Sequence, residues 1–409
     1  MNKTQKQLIE MINLAIHGRK INFDENEIVN WNELLEEARQ HSVTSLIYSS
    51  INRSSIIKSL DKERLNSLKK QVFYSGINQV RHIKQTAEIL KELQEESIEV
   101  IVLKGLVVRY LYPNPDLRTM SDADIIVHKD DLEKISEILV KMNYKQTKHE
   151  DEHGAHIVFN KENSCIEVHW TLLNEDFFKG DRSFEDSLWD NAMTVKVGEA
   201  EALSLSWEDL AVHLCVHMAS HFSHKGFGVR QLCDLVLVVE KKGKEIDWIL
   251  FNEKIKKCKL EKFTAAIFNV CKKLFNMEIP KELNSIYDIN EKTINLVIDD
   301  IFEAGVFGNK NTDNMFGREL AFDKDTESGS SNIRIIGRFI RLLFPPPNEM
   351  NNKYNYAKKY KILVPIAWIH HLIEGLFNKN YNTKNKVGML LSTISVSTNR
   401  SKLLKKLEL

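Results

Sequence analysis

Two aspartates stand one residue apart at the start of an apolar run, in the segment DLRTMSDADIIV (116–127). Alternate side chains of a β-strand share a face, so Asp122 and Asp124 are predicted to lie side by side while the apolar residues between and after them enter the core. Carboxylates held this close repel each other unless a cation offsets their charge. The pair therefore indicates either a divalent metal site or a solvated strand end.

A second predicted strand, SCIEVHW (164–170), carries a further acid. Glu167 and His169 share its polar face, so Glu167 is either a third metal ligand or an ordinary exposed glutamate. Nucleotidyl transfer uses two Mg²⁺ ions that clamp the attacking and leaving oxygens, and Mg²⁺ prefers oxygen ligands. Asp122, Asp124 and Glu167 are therefore predicted to be the catalytic and metal-binding residues, with Mn²⁺ as an alternative ion.

Hydrophobic periodicity predicts how the chain positions these strands. Apolar residues recur three and four apart from about residue 62 to 96, with Gly76 as a candidate break, and the period then changes to two. Short links favour mixed or antiparallel strand pairing. The predicted domains are an N-terminal helical region (1–96), an α/β catalytic core (97–200), a C-terminal helical domain (201–322), a polar linker (323–332) and a helical extension (333–409).

The C-terminal helical domain is predicted to begin with a capped helix at Ser206 that carries four histidines on one face. Zinc chelation, a polar face lining a nucleotide or acceptor cleft, and ordinary packed histidines are three interpretations of the same spacing. The chain has no HExxH motif to support zinc. The four histidines are His213, His217, His221 and His224.

Two further patterns have alternative interpretations. Arg230 and Asp234 are four residues apart, which is typical of a helix ion pair and also compatible with a place in the cleft. The basic, tyrosine-rich segment KYNYAKKY (353–360) precedes the apolar ILVPIAWI (362–369). It is either an interfacial or acceptor-binding segment, or a core helix with a basic flank.

Bulk composition excludes several classes of protein. The 409 residues contain 57 basic and 57 acidic side chains, so net charge gives no indication of a nucleic-acid or membrane partner. Five scattered cysteines without a CxxC pair predict reduced thiols in a cytoplasmic protein. The longest apolar run is too short to span a bilayer, and the N-terminus lacks a signal-peptide core. The sequence does not determine the oligomeric state.

The segment VLKGLVVRYLYPNPDLRTMSDADIIV (102–127), followed by IEVHW (166–170), resembles the uncharacterised nucleotidyltransferase family of the polymerase-beta-type superfamily. The resemblance implies an α+β fold, with a small mixed sheet and flanking helices embedded between N-terminal and C-terminal helical regions. It also implies transfer of a nucleoside monophosphate from an NTP, with ATP as the default donor, and release of pyrophosphate. The acceptor would be a small molecule, peptide, protein or RNA.

The superfamily's usual Gly-Ser pair is replaced here by Gly105 and a leucine. Lys104, the amides near Gly105, and Arg118 are expected to contact the donor's phosphates instead; alternatively, Lys104 is a solvated strand terminus and Arg118 pairs with Asp122. The predicted nucleotide-binding residues are Lys104, Gly105, Arg118, His217, Arg230 and Asp234. Two other functions stay open: an inactive nucleotide- or partner-binding module, favoured by the missing serine, and a toxin-like transferase acting on tRNA.

Overall fold

The structure is a computed structural model. It describes residues 1–19, 30–52, 54–147, 156–162, 164–173, 181, 183–283, 289–305, 344–347, 350, 352–377 and 386–409. The predicted linker, 323–332, lies outside the described residues. Among the described helices, none combines the length and the apolar character that crossing a bilayer requires.

Three groups of elements follow one another along the chain. Four helices come first: α1 (Lys3–Ile16), α2 (Trp31–Gln40), α3 (Thr44–Ile51) and α4 (Lys62–Glu95). The core follows: β1 (Ile101–Val102), α5 (Gly105–Val108), β2 (Ala123–Ile126), α6 (Leu132–Lys141), β3 (Lys145–Thr147), β4 (His156–Lys161), β5 (Ser164–His169), β6 (Met193–Val197) and β7 (Ala200–Ser204). The remaining helices are α7 (Trp207–His224), α8 (Val229–Lys242), α9 (Trp248–Lys257), α10 (Glu261–Phe275), α11 (Glu291–Ala304), α12 (Asn355–Lys359), α13 (Val364–Phe377) and α14 (Lys386–Leu407).

Helix α4 runs unbroken for 34 residues. Asp61 caps it by accepting a hydrogen bond from the amide of Arg64 at 2.9 Å. The break expected at Gly76 is wrong. A Cβ at Gly76 would meet nothing within 4 Å, so the position faces open space. A glycine there costs only about 1 kcal/mol relative to alanine, too little to interrupt a helix that packs on the core through Ile83 and Leu90.

The strands form one seven-stranded sheet in the order β3-β4-β5-β2-β1-β7-β6. Strand β2 is parallel to β5 and β1 is parallel to β7, whereas the other neighbours are antiparallel. The predicted mixed sheet of an α+β fold is therefore confirmed. The last strand extends to Ser204, slightly beyond the predicted end of the core, and the domain boundaries stay a prediction.

One continuous hydrophobic core joins the N-terminal helices, the sheet and helices α7 to α11. A second, small core lies near the C-terminus, where Met350, Tyr354 and Ala357 pack with Val364 and Ala367. Helix α14 reaches back to the main body, because the guanidinium of its Arg400 binds the carboxylate of Asp300 on α11.

Candidate active site

The parallel register of β2 and β5 places two of the predicted acids next to each other. Asp124 is the register partner of Glu167, and Ile126 is the partner of His169. Because side chains two apart share a face of a strand, Asp124, Glu167 and His169 project from the same side of the sheet. Asp124 is only 6% exposed, so its charge lies in a protein environment that strengthens electrostatic interactions.

Asp124 binds two cationic or polar partners through one oxygen. Lys104 Nζ donates to Asp124 Oδ1 at 2.8 Å, and His169 Nε2 lies 3.3 Å from the same atom and 3.6 Å from Glu167 Oε2. Burial alone would raise the pKa of Asp124, but Lys104 and His169 hold it well below its usual range. Asp124 is therefore ionised at neutral pH.

A metal ion has one set of three candidate ligands among the described residues. One ligand atom from each of Asp124, Glu167 and His169 lies within 4.8 Å of the other two. The sequence predicts that His169 shares a strand face with Glu167, but it predicts no role for His169. The alternation in IEVHW was the signal that could have included it.

Asp122 sits just before β2 and is partly buried. Gln79 of α4 fixes the residue two positions earlier, because its amide donates to the carbonyl of Met120 and accepts from the amide of Met120, both at 2.9 Å. Burial, and then the charge of Asp124, raise the pKa of Asp122. Asp122 therefore contributes to a local surplus of negative charge, although it is outside the three-residue ligand set.

Lys104 is positioned by an unusual backbone conformation. Its φ of 43° and ψ of −112° lie where non-glycine residues are rare. Only Ile101 and Val102 of the preceding segment pair in the sheet, and the chain then turns sharply at Lys104 into α5. Such strain, of order 1–3 kcal/mol, persists where surrounding contacts hold it. Here the buried ion pair with Asp124 fixes the side chain. We call Lys104, Asp122, Asp124, Glu167 and His169 the carboxylate cluster.

A second buried group, the arginine cluster, consists of Arg118, Asp234 and Tyr112. Arg118 Nε and Nη2 donate to the two oxygens of Asp234 at 3.2 and 2.7 Å, and the hydroxyl of Tyr112 donates to Asp234 Oδ1 at 2.7 Å. Burial opposes the charge of Arg118, but Asp234 raises the pKa of its guanidinium. Asp234, not Asp122, is therefore the ion-pair partner of Arg118.

Gly105 and Arg230 contact the same segment. A Cβ on Gly105 would collide with the guanidinium of Arg118, so this close approach requires a glycine. Arg230 Nη1 donates to the carbonyl of Thr119 at 2.5 Å. The spacing suggested a helix pair between Arg230 and Asp234, but each binds the segment before β2. Their contact with nucleotide stays a prediction.

Three histidines of α7 lie near enough to the carboxylate cluster for the charges of Lys104 and Asp124 to act on them: His213, His217 and His221. His217 Nε2 lies 3.0 Å from His221 Nε2, one turn further along. His213 is 4% exposed, and neither ring nitrogen has a hydrogen-bond partner within the described part of the chain. Burial, and then the charge of Lys104, hold the pKa of His213 well below its usual range. A role for His217 in nucleotide binding stays a prediction.

The fold and this acidic site together define the class of protein: an α+β chain with a mixed sheet and carboxylates on two adjacent strands. The sequence profile described as "uncharacterised nucleotidyltransferase" matches residues 27–276. The chain belongs to this family, which confirms the family predicted from the sequence. The match spans both the carboxylate cluster and the arginine cluster. Among curated proteins, no match to the chain was found.

Several solved structures are similar at low identity. The solution structure of the antibiotic-resistance factor ANT(2'')-Ia shares 11% identity over 41% of this chain and 86% of that chain, with a TM-score of 0.31. The crystal structure of ANT(2'')-Ia with adenylyl-2''-tobramycin shares 10% identity over 42% and 97%, with a TM-score of 0.33. An antigenic nucleotidyltransferase-like protein from Paracoccidioides brasiliensis shares 13% identity over 39% and 77%, with a TM-score of 0.28.

Proposed function

We propose that the protein is a Mg²⁺-dependent nucleotidyltransferase of the cytoplasm that moves a nucleoside monophosphate from an NTP to an acceptor and releases pyrophosphate. The observation that carries the proposal is the register of Asp124 with Glu167 on adjacent strands, in a chain that belongs to a nucleotidyltransferase family. ATP is the default donor because it is abundant. The acceptor is a hydroxyl or phosphate of a small molecule, peptide, protein or RNA.

The donor atoms of the carboxylate cluster fit a divalent cation. Carboxylate oxygens from Asp124 and Glu167 suit Mg²⁺ or Mn²⁺. Such an ion would also offset the negative charge of Asp124, which adds to burial in raising the pKa of Asp122. The imidazole of His169, at hydrogen-bond distance from Asp124, is better suited to orient that carboxylate than to bind Mg²⁺. We therefore assign metal binding to Asp122, Asp124 and Glu167.

When bound, the metal would neutralise the phosphate oxygens and lower the pKa of the acceptor hydroxyl. Glu167 is the proposed base: it takes the acceptor's proton while the acceptor oxygen attacks the α-phosphorus and the bond to pyrophosphate breaks. Lys104, whose ammonium lies within the cluster, is proposed to exchange Asp124 for a donor phosphate.

The other predicted nucleotide-binding residues divide into two groups in this proposal. Arg118 and Asp234 neutralise each other and are proposed to act by holding the segment before β2, with Gly105 allowing their close approach. Arg230 and His217 are half-buried and are proposed to contact the nucleotide directly.

One observation favours a second candidate, an inactive nucleotide-binding module. Asp124 Oδ1 already has Lys104 and His169 as partners, so groups of the protein itself offset its charge. The retention of Glu167 next to Asp124 argues for the enzyme, because nucleotide binding alone does not require a third acid.

The proposed activity is tested by incubating the protein with Mg²⁺ and each of four α-labelled NTPs, with and without cell extract, and following the label. Glu167→Gln keeps the side-chain shape but removes the charge. Transfer should fall at least about a hundredfold, the loss typical of removing a general base. Glu201→Gln, an exposed strand glutamate of the same sheet, is the matched control and should transfer normally.

Two results would overturn this assignment in different ways. Near-normal transfer by Glu167→Gln would show that Glu167 is not the base. A wild-type protein that binds Mg-NTP but transfers no label to any acceptor in the extract would establish the binding module instead.

A further inference from the structure

Helix α13 and the turn before it carry four exposed isoleucines. Ile362, Ile366, Ile369 and Ile373 are 87%, 57%, 58% and 45% exposed. Their spacing of four, three and four residues places them on one helical face. We call these four residues the isoleucine face. Single exposed apolar residues are ordinary, but a contiguous apolar face on a protein surface marks a contact with something else.

The opposite side of the same helix is already buried. Val364 and Ala367 pack into the small C-terminal core with Tyr354, and the indole nitrogen of Trp368 donates to the carbonyl of Pro345 at 2.8 Å. Because this side of the helix packs on the segment before it, the isoleucine face cannot turn towards that core without breaking those contacts. It is held outward.

The charge on the N-terminal side of the isoleucine face has a single sign. From Met350 to Ile373 the sequence contains four lysines and no aspartate or glutamate, and the first acid after the face is Glu374. The lysines nearest the face are exposed, and so is Tyr360 (54%), whose ring centroid lies 5.6 Å from the ammonium of Lys359. These exposed lysines are Lys358, Lys359 and Lys361.

We propose that α13 and the turn before it dock the protein on an anionic membrane surface. The isoleucines would enter the boundary between headgroups and acyl chains, with Tyr360 at the headgroup level and the lysines on lipid phosphates. The three exposed lysines just before and beside the first isoleucine complement a negatively charged surface. A protein partner would more typically present both signs at the rim of its interface. The helix has 14 residues, which suits lying in the interface rather than crossing the bilayer.

The test is flotation of the full-length chain with vesicles of phosphatidylcholine alone and with vesicles that also contain about 30% phosphatidylglycerol. We expect at least tenfold stronger partitioning to the anionic vesicles, weakened by added salt because salt screens the lysines. Equal partitioning to both vesicle types would overturn the proposal.

Two variants separate the apolar and the charged contributions. Ile366→Ser with Ile369→Ser should lower partitioning at least tenfold, whereas Ile249→Ser, which changes an isoleucine that is 65% exposed on α9, should not. Replacing the three exposed lysines by glutamine should cost on the order of a hundredfold. The matched control replaces Lys62, Lys69 and Lys70, which are exposed on α4, by glutamine. Circular dichroism verifies that each variant is folded.

A different contact would give a different result. A wild type that binds neither vesicle type but forms a concentration-dependent dimer, which Ile366→Ser with Ile369→Ser abolishes, would show that the isoleucine face binds a second copy of the chain. In that case the membrane proposal is wrong. Folded variants that float as the wild type does would also overturn it.

Discussion

The arginine cluster and the carboxylate cluster meet in one segment of the chain, where Arg118 precedes Asp122 by four residues, yet they are built differently. In the arginine cluster one cation meets one anion, and the planar guanidinium of Arg118 matches both oxygens of Asp234. In the carboxylate cluster three acids share the ammonium of Lys104: Asp124 binds it directly, and Glu167 and Asp122 help to raise its pKa against the effect of burial.

This difference indicates that the arginine cluster stabilises the fold and that the carboxylate cluster is suited to bind a ligand. Burying charges costs free energy that a well-matched pair regains, so the arginine cluster is complete as it stands. The carboxylate cluster keeps surplus negative charge, with the pKa of Asp122 raised by burial and by Asp124. Such perturbed groups are typical of functional sites. We therefore expect mutations in the first cluster to change stability, and mutations in the second to change ligand binding.

The largest effect should follow from breaking the arginine cluster. Asp234→Asn leaves Arg118 buried without its counter-charge, which should lower the free energy of unfolding by about 3–5 kcal/mol in urea denaturation. Asp61→Asn is the matched control, because its pair with Arg64 is about half exposed and should matter by about 1 kcal/mol or less. A small loss for Asp234→Asn would mean that Arg118 finds another partner and that the cluster is not a closed pair.

A smaller, pH-dependent effect should come from His213, which lies near the carboxylate cluster. Burial holds the pKa of His213 well below its usual range in the folded protein, so below about pH 6.5 the unfolded chain binds a proton there and the folded chain does not. The free energy of unfolding should therefore decrease as the pH is lowered, by up to about 1.4 kcal/mol per pH unit for this residue. His213→Leu should flatten the slope between about pH 7 and pH 5, measured by urea denaturation.

The control for that slope is His128→Gln, a change at a histidine whose side chain is 46% exposed. The free energy of unfolding of this variant should change with pH as that of the wild type does. An unchanged slope in His213→Leu would show that folding does not lower the pKa of His213.

The smallest effect should come from Tyr112→Phe. The change removes the hydroxyl that donates to Asp234 but keeps the ion pair with Arg118, so thermal or urea denaturation should show a loss of about 1 kcal/mol. Tyr110→Phe, at a neighbouring tyrosine that is 47% exposed, should cost less. A loss as large as that of Asp234→Asn would show that the hydroxyl, rather than the guanidinium, holds Asp234.

Local patterns in the sequence were enough to predict the elements that carry the site. Alternation in DAD and IEVHW placed the acids on strand faces, and the predicted mixed sheet follows from the short links between elements. These features depend on neighbours within a few residues, which is why a single sequence reveals them.

Long-range pairing could not be predicted in the same way. Asp234 lies 116 residues after Arg118, so spacing offered nearer partners for both residues. The buried contact of Lys104 with Asp124 depends on a backbone turn with positive φ that no local propensity favours. The predicted break at Gly76 is absent because packing of α4 on the core outweighs the low helix propensity of glycine.

If the carboxylate cluster binds a metal–nucleotide complex, the melting temperature of the protein should report that binding. Mg²⁺ plus NTP should raise the wild-type value by more than the two separate shifts added together, since ligands that bind only the folded state stabilise it. Asp122→Asn with Asp124→Asn should abolish that synergy, whereas Asp130→Asn with Asp131→Asn, in the turn before α6, should keep it. If the double variant at Asp122 and Asp124 responds to Mg²⁺ plus NTP as the wild type does, these two aspartates do not bind the metal–nucleotide complex.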